Sequence, residues 1–259
     1  MKHALTAVFL CLLLAAGAYA AQVPISEHRS VNPDARIEVE LVAGTVRVTG
    51  WEKAEVELTG FLGDNLQKLE ITGGKDRLKI EVRFPEGEHH DIEDSELVLR
   101  VPRGSQIDVD NVSGSITISD VKGRLELNSV SGDIDVKGSP RDVNLNSVSG
   151  DIALDDGASL ENAELNSVSG SIDAHLNFRS GGSFKFGTVS GDVTLRVPAK
   201  ASAEIDVSTF SGSITSDFGE EPVKKSSFLP AEELSFTLGS GGARVKVDSF
   251  SGTVVIRKE

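Results

Sequence analysis

Cysteine, methionine, tyrosine and tryptophan each occur once in the 259 residues, and aromatic residues make up only 5% of the chain. Met1, Cys11 and Tyr19 all fall in the first twenty positions, so the rest of the chain offers no disulfide, no thiolate nucleophile and no thiolate metal ligand. Basic residues are also scarce. Lys plus Arg number 26 against 40 Asp plus Glu, giving a formal charge of −14 and a pI near 4.8. A surface of that sign repels phosphate backbones and anionic headgroups, which argues against nucleic acid and anionic membrane surfaces as partners. Glycine, by contrast, is plentiful at 26 residues, within a composition that is otherwise ordinary at 39% apolar and 25% charged. Such a chain is neither disordered nor collagenous, and its length can close as one domain.

Only one long hydrophobic run is present, and it reads as an address. Lys2 supplies a positive start, Leu5 to Ala16 an apolar stretch of secretory length, and Ala18, Tyr19 and Ala20 an A-x-A site. Cleavage is expected after Ala20. The run is shorter than the roughly 20 residues a membrane span needs, so no transmembrane span is expected after cleavage. Leu10 before Cys11 speaks against a lipoprotein site.

The dominant signal is repetition. Asn-Val-Ser-Gly at 111 to 114 returns as Ser-Val-Ser-Gly ending at Gly132, Gly150 and Gly170, as Thr-Val-Ser-Gly ending at Gly191, and with Phe for Val before Gly212 and Gly252. The seven glycines, Gly114 to Gly252, are 18, 18, 20, 21, 21 and 40 residues apart. A period near twenty indicates a solenoid or an array.

Each unit alternates on both sides of the Ser-Gly step. Leu125 and Leu127, or Val143 and Leu145, precede it two apart, and Ile116, Ile134, Ile152, Ile172, Val193, Ile214 and Val254 each follow their glycine by two. Alternation of this kind denotes strands with one buried face. The apolar parity flips across the motif, so the chain must turn a corner there, with glycine taking the bend. Short strands cannot bury a face alone, so successive coils must stack, which brings Asn128, Asn146 and Asn166 into one column and Ser131, Ser149 and Ser169 into another. The fold class is therefore all-β, a parallel β-solenoid (β-helix-like) of about ten coils. An antiparallel sandwich gives no reason for like polar residues at one phase of every second turn. Phe184, Phe186, Phe210 and Phe250 read as inward residues of this coil. The expected organisation is a signal peptide over 1–20, a linker or cap over 21–36 and the solenoid over 37–259, with an excursion at 217–230 that carries Gly219, Pro222 and Pro230.

The segment 35–60, ARIEVELVAGTVRVTGWEKAEVELTG, the repeated SVSGDI units and the closing GSGGARVKVDSFSGTVVIRKE resemble the bacterial DUF4097 family, whose members are often labelled adhesins. The resemblance covers essentially the whole mature chain. It implies a β-strand-repeat solenoid, generally extracytoplasmic or attached to the cell envelope, with no recognised catalytic residues. Links of some relatives to envelope stress bear on location more than on mechanism.

Chemistry-bearing motifs are few. No serine lies in G-x-S-x-G and there is no Gly-Lys-Ser/Thr phosphate loop. Seven equivalent corner serines call for a structural role, since Ser can bond local backbone while Gly bends. In the acidic stretch 86–96, His89, His90, Asp91 and Asp94 are the weak candidates for a metal site. Their spacing matches neither His-x-x-x-His nor an EF-hand loop, and a solvated loop is the preferred reading. The column Asp133, Asp151 and Asp192, with Asp135, Asp173 and Thr194 three past the glycine, forms the candidate binding face: flat, stiff and mildly acidic. Ser115, Ser171, Ser213 and Thr253 interrupt it, which disfavours a dedicated calcium site. No cofactor is expected. The function expected is that of an exported, non-catalytic module, periplasmic or secreted, that acts as an adhesin-like or scaffold binder of an envelope protein or polymer. The rival is a solenoid polysaccharide lyase or hydrolase, which would need non-repeating polar residues gathered in a groove.

Overall fold

A computed structural model describes residues 22–63, 67–83, 94–156, 160–224 and 230–259. Among these residues there is no helix, and the strands join into one continuous, mostly parallel hydrogen-bonded system. The regular coil is seen at Arg124–Ser131 and Ile134–Gly138. A longer strand runs into the Ser-Gly corner, a shorter one leaves it, and a turn returns the chain to the next level. Like strands stack in register, so that Leu127 pairs with Leu145 and Ile134 with Ile152. The solenoid therefore has a long-strand sheet and a short-strand sheet, with their inner faces forming the core.

That core is a set of apolar columns. Leu97, Val46, Ile116, Ile134, Ile152, Ile172, Val193, Val254 and Ile214 follow one another down the short-strand sheet, all buried. Each contributes about 1.5–3 kcal/mol by leaving water. Size is compensated between neighbours. Ala163 pairs with Phe184, whose ring also meets Phe178 edge-on at 5.0 Å, so a small side chain on one level makes room for a large one on the next.

Glycine at the corner is required by proximity. A Cβ added at Gly132 would overlap the carbonyl oxygen of Gly114, one at Gly150 that of Gly132, and one at Gly170 that of Gly150. The stacked corners leave room for backbone alone.

The levels do not stack wholly in chain order. The last strand, Ala243–Lys258, lies between the 178–197 coil and the strand Ala203–Ser216. At the other end Arg36–Trp51 lies between the pair Arg77–Arg83 and Ser95–Pro102 on one side and the 106–119 coil on the other. The described residues thus build nine levels, and the 40-residue gap before Gly252 holds a detour. Part of that detour, Glu232–Leu238, runs antiparallel along Ala203–Ser216 and closes one end of the long-strand sheet. Three antiparallel strands, Val23–Ser30, Glu55–Leu62 and Lys68–Gly73, close the opposite end. Antiparallel capping denies a second solenoid the parallel edge that stacking would use.

One inward assignment is corrected. Phe184 and Phe186 are buried, but Phe210 and Phe250 are about half exposed and stack on each other, centroids 4.9 Å apart at 11°. The alternation does not reverse at their position. It continues outward through it, and the reversal comes only at the glycine.

Candidate binding groove

The strand before each corner carries its alternation one step past the last apolar core residue, with an inversion of the usual polarity. In the coil that contains Leu125 and Leu127, the next inward residue is Ser129 and the next outward one is Val130. The same holds on each level. Asn111, Ser129, Ser147, Ser167, Thr188, Ser249 and Thr209 are buried, whereas Val112, Val130, Val148, Val168, Val189, Phe250 and Phe210 are 46–54% exposed. Crowding at the corner accounts for the inward half. Asn111 Nδ2 donates to the carbonyls of Gly44 at 3.0 Å and Gly114 at 2.9 Å, and Thr209 Oγ1 donates to that of Gly212 at 3.4 Å, whereas the side-chain oxygens of Ser129, Ser147, Ser167, Thr188 and Ser249 are buried with no hydrogen-bond partner among the described residues, so small size and not hydrogen bonding is what these inward positions share. Nothing in the coil's packing requires the outward half to be apolar.

Beside the valines runs an amide ladder. Asn128 Nδ2 donates to Asp110 Oδ1 at 2.8 Å, Asn146 Nδ2 to Asn128 Oδ1 at 3.0 Å, and Asn166 Nδ2 to Asn146 Oδ1 at 3.1 Å. The ladder stops at Gly187, which has no side chain to continue it. Valine column and amide column together line a groove of about 850 Å³ along the solenoid axis. Its charged lining residues, Glu40, Glu81, Asp110 and Asp248, are all acidic. Lys79 bridges Glu40 and Glu81 at 2.9 and 3.1 Å, and Lys246 meets Asp248 at 2.5 Å. Hydrogen bonds from Arg83 and Lys79 hold the Glu81 carboxyl below its ordinary value. Asp110 makes no ion pair with a described residue.

The residues singled out from the sequence as a binding face lie elsewhere, on the outer face of the short-strand sheet and at its corner. Their polar atoms are largely engaged within the solenoid. Asp133 Oδ1 accepts the N–H of Asp151 at 2.9 Å, Asp151 Oδ1 that of Ser171 at 2.8 Å, and Asp192 Oδ1 that of Thr253 at 2.7 Å. Asp135 pairs with Lys137 at 3.0 Å and Asp173 with Arg196 at 2.6 Å, while Thr194 stands half-buried between Asp173 and Val255. Of the weak metal candidates, His89, His90 and Asp91 lie outside the described residues, and Asp94 is exposed. Among the described residues no three His, Cys, Asp or Glu side chains gather as a metal site. The groove was not read from the sequence, although the apolar residue before each Ser-Gly step, Val on five levels and Phe on two, was its visible trace.

Comparison with known proteins places the fold. The profile of DUF4097, described as Toastrack, matches residues 34–257. The chain belongs to the DUF4097 family. A proposed adhesin from Bacteroides fragilis NCTC 9343 superposes with a TM-score of 0.57 at 16% identity, covering 93% of this chain and all of that one. A proposed cell adhesion protein from Clostridium sporogenes ATCC 15579 gives 0.38 at 11% identity, covering 91% of this chain and all of the other. A proposed lipid-binding protein from Parabacteroides distasonis ATCC 8503 gives 0.37 at 12% identity, covering 90% of this chain and 96% of the other. Comparison with curated proteins returns no match. The first of these likenesses supports the DUF4097 fold and says nothing of a ligand. No helix among the described residues is long and apolar enough to cross a membrane.

Proposed function

We propose that this DUF4097 protein is an exported, non-catalytic binding module of the bacterial cell envelope, adhesin-like in holding an extended partner along one face of a stiff solenoid. The observation that carries the reading is the outward column of Val112, Val130, Val148, Val168 and Val189, which lines the groove with the amide ladder and is continued past the groove by the exposed Phe250 and Phe210. A contiguous exposed apolar stripe is costly to maintain on a soluble surface and marks a contact site. The coil's own stability would be served as well by polar residues there. The groove is open and periodic, which suits a long partner better than a small substrate enclosed for chemistry. The leader over 1–20 supports export, and the proposed adhesin from Bacteroides fragilis is a relative in fold with a compatible role.

The test is co-sedimentation of the purified mature protein with bacterial envelope fragments. The wild type is expected to pellet with them. A variant carrying Val130→Ser, Val148→Ser and Val168→Ser is expected to melt at the same temperature and remain in solution. Undiminished sedimentation of that variant overturns the groove as the binding surface and turns attention to the Asp133, Asp151 and Thr194 face, where arginine substitutions give the parallel experiment.

A further inference from the structure

The spacing of the groove narrows the class of its occupant. We propose that it takes a proline-rich peptide in the polyproline II conformation, with a basic residue beside Asp110; this rests on the groove being the binding surface. The seven levels of the stripe, from Val112 to Phe210, span about 29 Å at ~4.8 Å per level. A partner that meets like side chains on successive levels must share their repeat or a simple multiple of it. An α-helix, with a pitch of ~5.4 Å, slips by more than half an ångström on every level. An extended strand presents like side chains every ~6.6–6.8 Å, which matches neither one level nor two. A polyproline II helix repeats every three residues, ~9.3 Å, against ~9.6 Å for two levels, and so stays within about 1 Å of register over three turns.

Two hydrogen-bond donors of the groove stand at the same two-level spacing. Each asparagine amide has two N–H donors. Asn146 spends both, on Asn128 and on Asn144 at 3.1 Å. Asn128 and Asn166 each spend one on the ladder and make no second side-chain donation to a described residue, and they stand two levels apart. Polyproline II segments carry carbonyl acceptors that make no internal hydrogen bond, and proline has no N–H to satisfy in return. Two donors about 9.6 Å apart thus meet equivalent carbonyls on successive turns. Proline rings pack on apolar and aromatic surfaces; the valines line the groove, and the stacked Phe210–Phe250 pair extends that surface on the two levels past it. Charge sets the polarity of the occupant. The charged residues lining the groove are acidic, the chain carries a formal −14, and Asp110 makes no ion pair with a described residue, so a Lys or Arg of the peptide finds its counter-ion there.

The experiment is fluorescence anisotropy with a labelled nonapeptide, three repeats of Pro-Pro-Lys, which at ~3.1 Å per residue matches the length of the stripe. The control is three repeats of Gly-Ser-Lys, equal in charge and length but flexible. The first is expected to bind the wild type at least about tenfold more tightly than the second, and the Val130→Ser, Val148→Ser, Val168→Ser variant to lose that preference. Asn166→Ala is expected to weaken the proline peptide and leave the control unchanged. Equal binding of the two peptides overturns the proposal in favour of charge alone. Failure of the proline peptide to bind also overturns it. So does undiminished binding by the triple-serine variant, or by the Asn166→Ala variant. If the triple-serine variant still loses the envelope while the proline peptide neither binds nor competes, the peptide class fails and the groove reading stands. Competition by neutral phosphatidylcholine vesicles but not by the peptide gives the groove to lipid and likewise overturns the proposal.

Discussion

The two outer faces of this solenoid are built from the same repeat, and they use its side chains in opposite ways. On the short-strand side, Asp133, Asp151 and Asp192 each accept a backbone N–H from the next level. Asp135 and Asp173 pair with Lys137 and Arg196. The polar column there holds levels together. On the long-strand side the outward valines and phenylalanines have no partner of their kind in the core, and they stay half exposed on seven levels. A column of like polar residues is what stacking itself produces, because each level offers the next the same unpaired group. A column of exposed apolar residues relieves nothing inside the fold. Repetition alone therefore does not mark a binding face. What marks it is repetition the fold does not consume.

The largest effects should come from residues that both faces share. Ile134→Asp places an unpaired carboxylate in the column between Ile116 and Ile152, and should cost about 4 kcal/mol or more, enough to unfold the middle levels. Urea denaturation checks it. A stable Ile134→Asp protein would mean that the two sheets do not enclose a common core, and the comparison of their outer faces would lose its basis. Gly150→Val comes next, since its Cβ falls on the Gly132 carbonyl oxygen. Backbone on both levels must shift, and a loss of about 3 kcal/mol is expected in the same assay. A valine tolerated there would leave the recurrence of glycine without its physical cause.

The contrast is sharpened by exchanging polarity within one Ser-Val pair. Ser147→Val puts added bulk under the corner carbonyls and should cost about 1–2 kcal/mol, although it removes a buried hydroxyl that has no hydrogen-bond partner among the described residues. Val148→Ser should stay within about 0.5 kcal/mol, as an exposed substitution does, while weakening whatever the groove holds. Thermal melting of the two single variants decides the matter. If Val148→Ser were the more damaging, the stripe would belong to the fold, and the argument that it serves a partner would fail.

The solenoid was legible from the spacing of its glycines, from the parity flip, and from the apolar residue that follows each glycine by two. Those signals are local and periodic, and stacking converts them directly into columns. Two features were not legible. Alternation gives the phase of a strand, but at Thr209–Phe210 and Ser249–Phe250 hydrophobicity pointed to the wrong member of each pair as the buried one. Only the crowding of stacked corner carbonyls decides that a small polar side chain goes inside, and for the same reason Phe210 and Phe250 turn outward. The insertion of Ala243–Lys258 ahead of Ala203–Ser216 was equally hidden, because either order satisfies the same repeat pattern. What favours the observed order is the antiparallel strand Glu232–Leu238, which must lie on an outer edge and so keeps Ala203–Ser216 outermost beneath it.

The smallest expected effects lie on the short-strand face and separate its two kinds of aspartate. Asp133 accepts the backbone N–H of Asp151 at a corner where the glycine column already fixes the spacing between levels. Asp133→Ala removes one charge-assisted hydrogen bond from an exposed site where water can replace it, so the cost should be about 0.5–1 kcal/mol. Asp135 only meets Lys137 two residues along the same strand, the lysine exposed and the aspartate partly so, and Asp135→Ala should change stability by less than about 0.5 kcal/mol. Raising the salt concentration should narrow the gap between wild type and Asp135→Ala more than that between wild type and Asp133→Ala, since a surface ion pair is screened more readily than a short hydrogen bond to backbone. Melting both variants at low and high salt checks the order. Equal losses at both positions would mean that the carboxylates act through the net charge of the face and not by tying level to level, and the face would then be open to a cationic partner in the same sense as the groove.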